Sequence, residues 1–572
     1  MLVQPVKILN PYQERVIEFK GLNREHVIDD GELRDMRNLS SDEYPTLYQR
    51  KARSLYELPA NLKTPYSMIA KSDAKLNRKL AIVGEDMQGE IGLWYGNERT
   101  LMTGLSATTQ MVAINTRICF FPEKKYYNVV TGEIGDIEAK FPQVLVDSDN
   151  DDPQAEKEAA KEYVTASITT TDDGQTLTFP SGTDLSSMFK ADDAINIEGD
   201  LTPTSGTTTS VSVSCVIKSI SGESMVVPSE TFIELTAEGT STGTIDIHKD
   251  KMNRVCPDLA YVIEYNNRLW GCSNADNTIY ACKLGDPTNW QYYQNTSMDS
   301  YYAEQGTDGE WTGVAAYSSH LMFFKEDCIH RVYGSTPSAF QTSVMQCHGL
   351  EKGSAKSAVI VNDIVMYKSK RGIMAYEGGT PYCISDKFGS AKYSNVVAGT
   401  DGIKYYASIL KDGKPLIVVL DLNRSTWHKE DELRVKQFCR FNDKLLMIAE
   451  NTTDGFEEGN IYVCNGDNPL SFESKIKWMA EFGPFDEYIE NKKVYSKLMM
   501  RFELPEGSTL HIYMSIDGGE WESIDYVRHE HQTSLFVPIV PRRCNRFSVK
   551  LEGIGNCRIE SLTRQFREGG AR

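Results

Sequence analysis

Two short stretches of the chain carry residue types at spacings that could hold a metal. Asp147-Ser-Asp149-Asn-Asp151, followed by Glu158, imitates the carboxylate spacing of a helix-flanked calcium loop. The position that needs glycine for the sharp turn holds Asp152, and Pro153 follows it, so the expectation is a solvated acidic linker leading into a helix near Gln154. His529-Glu-His531 would place two imidazoles on one face of a strand, half of a metal site. No third or fourth ligand lies at a supporting distance along the chain, and an exposed loop is expected there. The sequence has no Gly-x-Ser-x-Gly elbow, phosphate loop or His-Glu-x-x-His helix, and Gly378-Gly379 ends a strand without opening a helix. No catalytic, cofactor-binding or metal-ligating residue is therefore assigned. The expectation is a protein that is not an enzyme and needs no cofactor.

Ser515-Ile-Asp517-Gly-Gly519-Glu-Trp521 is similar to the Asp-box of sialidases and related propellers, with the tryptophan one residue early. An Asp-box is a structural hairpin, and Asp-Gly-Gly between two apolar runs is an ordinary hairpin turn. A glycosidase would also need two carboxylates flanking its substrate, which one sequence cannot bring together. Trp94, Trp270 and Tyr376 could stack sugars, but aromatic residues at central strand positions are expected in the core.

The elements that must position these residues are strands. The chain has 572 residues, 40% apolar and 25% charged, which suits a soluble protein of several domains. Sixty-one Lys and Arg against 80 Asp and Glu give a net charge of −19, which opposes capture of nucleic-acid phosphates. No apolar run is long enough for a membrane helix, and Met1-Leu-Val-Gln-Pro-Val-Lys-Ile-Leu9 turns polar too soon for a signal peptide. The 12 cysteines are scattered without a Cys-x-x-Cys pair, so free thiols formed in a reducing cytoplasm are expected. Apart from Gln154–Tyr163, nearly all the sequence reads as short runs of Val, Ile, Tyr and Phe broken by Gly, Asn and Asp.

These runs form a loose repeat with the length of a four-stranded propeller blade. Its units begin at Leu80, Met111, Ala260, Gly313, Ser357, Ile403 and Val435. The fold predicted is all-β: a β-propeller of about seven blades, carrying an inserted small β domain and a C-terminal β-sandwich. The boundaries expected are an N-terminal arm and start of the propeller over 1–60, first blades over 61–145, the insertion over 146–250, remaining blades over 251–470 and the sandwich over 471–572. The insertion is marked by period-two segments such as Ala194-Ile-Asn-Ile-Glu198 and Val211-Ser-Val-Ser-Cys215 within a Thr/Ser-rich region. An inserted domain enters and leaves through one loop, so removal of residues 150–248 is expected to leave the propeller folded.

Gly21-Leu-Asn-Arg-Glu-His-Val-Ile-Asp-Asp-Gly31, continuing through Asp35-Met-Arg-Asn38 to Tyr44 and Arg53, resembles the opening of phage tail propeller proteins, the podophage tail nozzle or DNA-stabilisation family. Asn267-Arg-Leu-Trp270, Leu284-Gly-Asp-Pro-Thr-Asn-Trp290, Phe323 to Gly334 and Lys370 to Gly378 fit the same pattern, over most of residues 15–470. The resemblance implies a structural, non-catalytic component of a virion tail, made in the host cytoplasm. It implies a ring of identical chains, a homohexamer, below the portal and adaptor, in contact with other tail proteins and with no membrane. Viral DNA would pass through the ring without specific binding. A glycan- or receptor-binding tail-tip or baseplate protein and a propeller glycoside hydrolase are the competing readings. Arg50, Lys51 and Arg53 are expected on the surface, held for acidic partner subunits.

Overall fold

The computed structural model describes residues 11–141, 163–237, 241–528 and 533–568. Seven four-stranded antiparallel sheets form the blades of a propeller. Blade 1 runs from Leu62–Ser72 to Glu98–Arg99, blade 2 from Gln110–Ile114 to Ile134–Asp136, and blade 3 from Tyr261–Tyr265 to Tyr301–Glu304. Blade 4 spans Gly313–Tyr317 to Gln341–Gln346, blade 5 Val359–Val361 to Tyr382–Cys383, and blade 6 Tyr393–Thr400 to Thr426–Lys429. Blade 7 takes three strands from Val435–Phe441 to Ile461–Val463, and its fourth comes from the other end of the chain. Ser54–Tyr56 lies antiparallel to Ile461–Val463, with Leu55 opposite Tyr462, and so closes the circle.

The second strand of each blade is covered on both faces by its neighbours, which is why these strands read as unbroken apolar runs. Arg268–Ser273 and His320–Phe324 are buried at every position. The first strands of successive blades touch around the axis, except that Gly313–Tyr317 of blade 4 meets the second strand of blade 5, Ile364–Lys368. Side chains stitch some of these seams: Gln437 bonds both the N–H and the C=O of Met68 (3.0 and 2.9 Å), and Ser67 donates to the Thr109 carbonyl (3.1 Å).

The inserted domain is one eight-stranded sheet with its own apolar core, including Ile168, Leu177, Ile197 and Ile247. Its neck is a strand pair, Ala139–Phe141 against the end of Thr242–Arg254, so its sheet extends a few residues beyond the expected boundaries on both sides. The acidic stretch around Asp147–Glu158 and the segment His529–His531 lie outside the described residues.

The sandwich departs from expectation in a way that matters. Two sheets face each other, one centred on Lys493–Glu503 and Arg558–Glu568, the other on Lys477–Phe485, Phe547–Ile554 and Thr509–Ile516. The residues expected to form an arm complete both: Tyr12–Val16 and Leu47–Gln49 pair with Arg558–Glu568, and Leu33–Arg37 pairs with Lys477–Phe485. The strands within residues 12–49 thus belong to the sandwich and do not form an arm. A short, half-polar strand such as Tyr12-Gln-Glu-Arg-Val16 finds its partner more than 500 positions away, so nothing local announces it.

The N-terminal phrase that resembles tail proteins turns out to be a joint. Gly21 has a φ of 75°, and a Cβ there would meet the Trp427 carbonyl oxygen at 2.5 Å, so only glycine lets the N-terminal loop lie on blade 6. Asp35 binds Arg24 at 2.6 Å and Lys429 of blade 6 at 3.0 Å. Glu32 accepts from Asn23 and pairs with Lys387. One apolar core, with Trp427, Phe388, Met366, Trp478 and Phe482, runs from blades 5 and 6 into the sandwich.

Candidate functional site

Two places concentrate polar chemistry: a buried knot of charge at the closing blade, and a cleft at the root of the inserted domain. The knot is built from Arg50 and Arg53, which are 5% and 1% exposed. Arg50 grips Glu473 through both terminal nitrogens (2.7 and 2.8 Å), reaches Asp431 at 3.2 Å and donates through Nε to the Asn38 side chain. Arg53 binds Asp431 at 2.6 Å and Glu430 at 2.5 Å, while its own N–H is taken by Glu473. Burial works to raise the Asp431 carboxyl, but Arg53 and Arg50 outweigh it and hold the group below the usual carboxylate range. The expectation that this basic trio serves partner subunits is corrected for two of its members. Arg50 and Arg53 are consumed inside the chain, and of the three only Lys51 is exposed. A buried arginine needs carboxylates within reach, and Asp431 and Glu473 are supplied from distant parts of the sequence.

At the propeller axis, Tyr66, Gln110, Lys356 and Gln437 are among the residues around a cavity of about 380 Å³. That space is far too small for a nucleic-acid duplex.

The cleft lies between the edges of blades 2 and 3 and the inserted domain, with a volume of about 680 Å³. One wall is aromatic. Tyr280 and Tyr302 sit directly opposite each other on neighbouring strands of blade 3. Tyr293, from the loop between those strands, packs edge-on against Tyr302 with ring centroids 5.9 Å apart. Tyr293 and Tyr302 are 46% and 61% exposed. The Tyr280 hydroxyl donates to Asp276, and burial together with that carboxylate pushes the phenol up to about 12.

Arg268 fixes the loop that carries Tyr293, donating to the carbonyls of Cys282 (2.8 Å), Ser297 (2.7 Å) and Asp299 (2.5 Å). Asp299 caps the same loop by accepting from the backbone of Gln294 and Thr296. The other wall is polar. Ser214 donates to the Asn196 carbonyl oxygen (2.6 Å), and the Asn196 amide donates to Gln291 Oε1 (2.7 Å). At the floor, Lys124 binds Glu138 (2.7 Å), Asp258 (2.6 Å) and the Cys256 carbonyl (2.8 Å).

The Leu284–Trp290 phrase docks the inserted domain beside this cleft. Asp286 pairs with Lys190 and Arg117 and accepts from Thr288 and Asn289. Burial opposes ionisation of Asp286, yet Lys190 and these donors bring it to about 2. Asn289 accepts the Ala194 N–H at 2.9 Å, and the buried Arg254 binds Asp193 at 2.5 Å.

The aromatic residues singled out in the sequence lie elsewhere. Trp94, Trp270 and Tyr376 are at most 2% exposed, and Tyr376 bonds His320 at 2.9 Å within the core. The cleft tyrosines could have been read from the doublets Tyr292-Tyr293 and Tyr301-Tyr302. In a strand, adjacent aromatics face opposite ways: Tyr301 packs on Trp270, and Tyr302 turns out to the cleft. The Asp-box-like stretch is a hairpin turn of the sandwich, where Asp517 accepts the N–H groups of Asn545 and Arg546 and Ser515 donates to the Gly519 carbonyl. Among the described residues, no group of three His, Cys, Asp or Glu side chains is placed to hold a metal ion. No helix among them is long and apolar enough to cross a membrane.

No protein-family model matches the chain, and no curated protein matches it. Matches among solved structures include Kluyveromyces lactis Hsv2 at 13% identity and a TM-score of 0.25, covering 36% of this chain and 62% of that one. An exo-beta-1,3-galactanase from Phanerochaete chrysosporium matches at 8% identity and a TM-score of 0.22, over 53% of this chain and 95% of that one. BBS1N, solved in complex with ARL6DN, matches at 10% identity and a TM-score of 0.23, over 66% and 96%. The chain spans about 62% of the length of the first of these. The sheet topology itself makes the protein all-β and built on a β-propeller.

Proposed function

We propose that the chain is a structural subunit of a phage virion tail, a nozzle-like ring component that forms part of the conduit for DNA below the portal and adaptor. The supporting observation is the way its bodies are locked. Both ends of the chain enter the sandwich, an N-terminal strand closes blade 7, and the Arg50–Arg53 knot fastens that closure to the start of the sandwich. Such a subunit resists being pulled open at its seams, which a conduit under internal pressure requires. A cavity of about 380 Å³ at the propeller axis cannot pass a duplex, so a conduit must be formed between chains. Identical chains reach that geometry through head-to-tail contacts that close by rotation. A charge of −19 on each chain, repeated around the ring, lets DNA slide without sticking.

A glycoside hydrolase would need an acid and a second carboxylate flanking a sugar. In the cleft at the root of the inserted domain, Glu138 and Asp258 are both bridged by Lys124 and are not two free carboxylates. Mass photometry of the purified full chain tests the proposal. Rings of one stoichiometry, six by the family resemblance, are expected; monomers at every concentration reached would contradict it.

A further inference from the structure

We propose that the cleft between blades 2 and 3 and the inserted domain binds a neutral oligosaccharide. The inference does not rest on ring assembly. Its first ground is the exposed tyrosine wall. Tyr293 and Tyr302 stand outside the blade cores, Trp270, Tyr301 and Phe340 packing together on the other face of the sheet, while the half-buried Tyr280 borders the core between blades 2 and 3. The C–H faces of a pyranose ring are apolar and stack on aromatic faces, while its hydroxyls seek partners at the edges. A tyrosine pair with exposed rings facing a polar wall meets both needs.

The second ground is order. Tyr293 rides on a loop held by four carbonyl bonds to the buried Arg268, and Tyr280 is tethered to Asp276. Also in the lining, Ser214, Asn196 and Gln291 form a chain of hydrogen bonds, so their polar groups are already oriented. In this chain Gln291 accepts through Oε1, and its Nε2 has no partner among the described residues, which leaves a donor for a sugar hydroxyl. A pre-ordered site loses little entropy on binding.

The third ground is charge, which selects the class of sugar. Glu138, Asp258 and Asp276 line the cleft against one cation, Lys124, whose three donors are taken by Glu138, Asp258 and the Cys256 carbonyl. No cation of the lining is left over for a sialic acid, a uronate, a sulfate or a phosphate. Carboxylates and amides, in contrast, accept from and donate to neutral hydroxyls. The volume of about 680 Å³ lies within the usual range of small-ligand sites, roughly 300–1,000 Å³, and the cleft sits at a domain junction where such sites concentrate.

The test is a glycan array carrying neutral and acidic glycans, probed with the full chain, followed by titration calorimetry with the best neutral oligosaccharide. Two variants accompany it: Tyr293→Ala with Tyr302→Ala, and Gln291→Ala. Because these side chains are exposed, both variants should keep the wild-type melting temperature, which is measured alongside. The expected result is retention of neutral glycans, with affinity lowered at least about tenfold in the double tyrosine variant and several-fold in Gln291→Ala. Three results would overturn the proposal: no neutral glycan retained, a preference for acidic glycans, or equal binding by the double variant. Loss of ring assembly in the double variant without glycan binding would also overturn it, by assigning the tyrosines to a protein interface.

Discussion

Arg53 and Asp431 are nearly inaccessible to water, so their charges are balanced by each other and by Glu430 and Arg50. Removing one partner of a buried pair leaves a stranded charge, which typically costs about 3–5 kcal/mol. Chemical denaturation of Arg53→Ala or Asp431→Ala should show a loss of that order. Lys51→Glu, at an exposed position between the two arginines, should change stability by less than about 1 kcal/mol. Equal, small effects at all three positions would show that the knot contributes nothing.

Three histidines give a second prediction. Burial, the larger cause, and a neighbouring cation bring His320 (Arg331), His330 (Lys325) and His428 (Lys404) from 6.5 to about 4. The unfolded chain therefore takes up protons first as pH falls. The stability these residues contribute is complete above pH 6.5 and drains away towards pH 4. Calorimetry in steps across that window should show a steadily falling melting temperature, and a flat profile would contradict the burial of these rings. Asp431, whose carboxyl is held below its ordinary 3.8, adds a further loss at still lower pH.

At the scale of elements, the strand Ser54–Tyr56 and the N-terminal strands of the sandwich have no independent existence. Truncation of residues 1–57 should give a chain that aggregates or lacks a cooperative thermal transition. A folded, cooperative product would show that the closure is dispensable. Removal of the inserted domain is a milder insult, because its core is its own. Deleting residues 150–248 nevertheless strips Asp193 from Arg254 and Asp192 from Lys283, both buried cations. The shortened chain should fold with a lowered melting temperature, and Arg254→Met with Lys283→Met should recover part of the loss. Wild-type stability without those substitutions would mean the cations find other partners.

This contrast also explains what the sequence disclosed. The blade repeat was legible because each hairpin, such as Gly313–Tyr317 with His320–Phe324, pairs within a few residues and carries its burial pattern locally. Tyr12–Val16 and Ser54–Tyr56 were not, because their partners lie more than 400 residues away. At the cleft, Tyr302 was hidden for a different reason: a strand tyrosine reads the same whether its face is core or solvent. Only the packing of Tyr301 on Trp270 decides which of the two turns outward.

Taken whole, the molecule is a propeller whose circle is closed by its own N-terminus, with a sandwich made from both chain ends and an inserted domain docked beside an acidic, tyrosine-walled cleft. A closed propeller exposes few sheet edges, so the proposed ring would use faces and loops more than strand pairing. In the proposed ring the conduit lies between subunits and duplex DNA is not captured. Mass photometry of the full-length protein over a concentration series, with and without plain duplex DNA, tests that proposal most directly. Closed rings of one stoichiometry, whose mass does not change when duplex is added, are the predicted result. A protein that stays monomeric throughout, or one that gathers on duplex in a salt-sensitive manner, would contradict it.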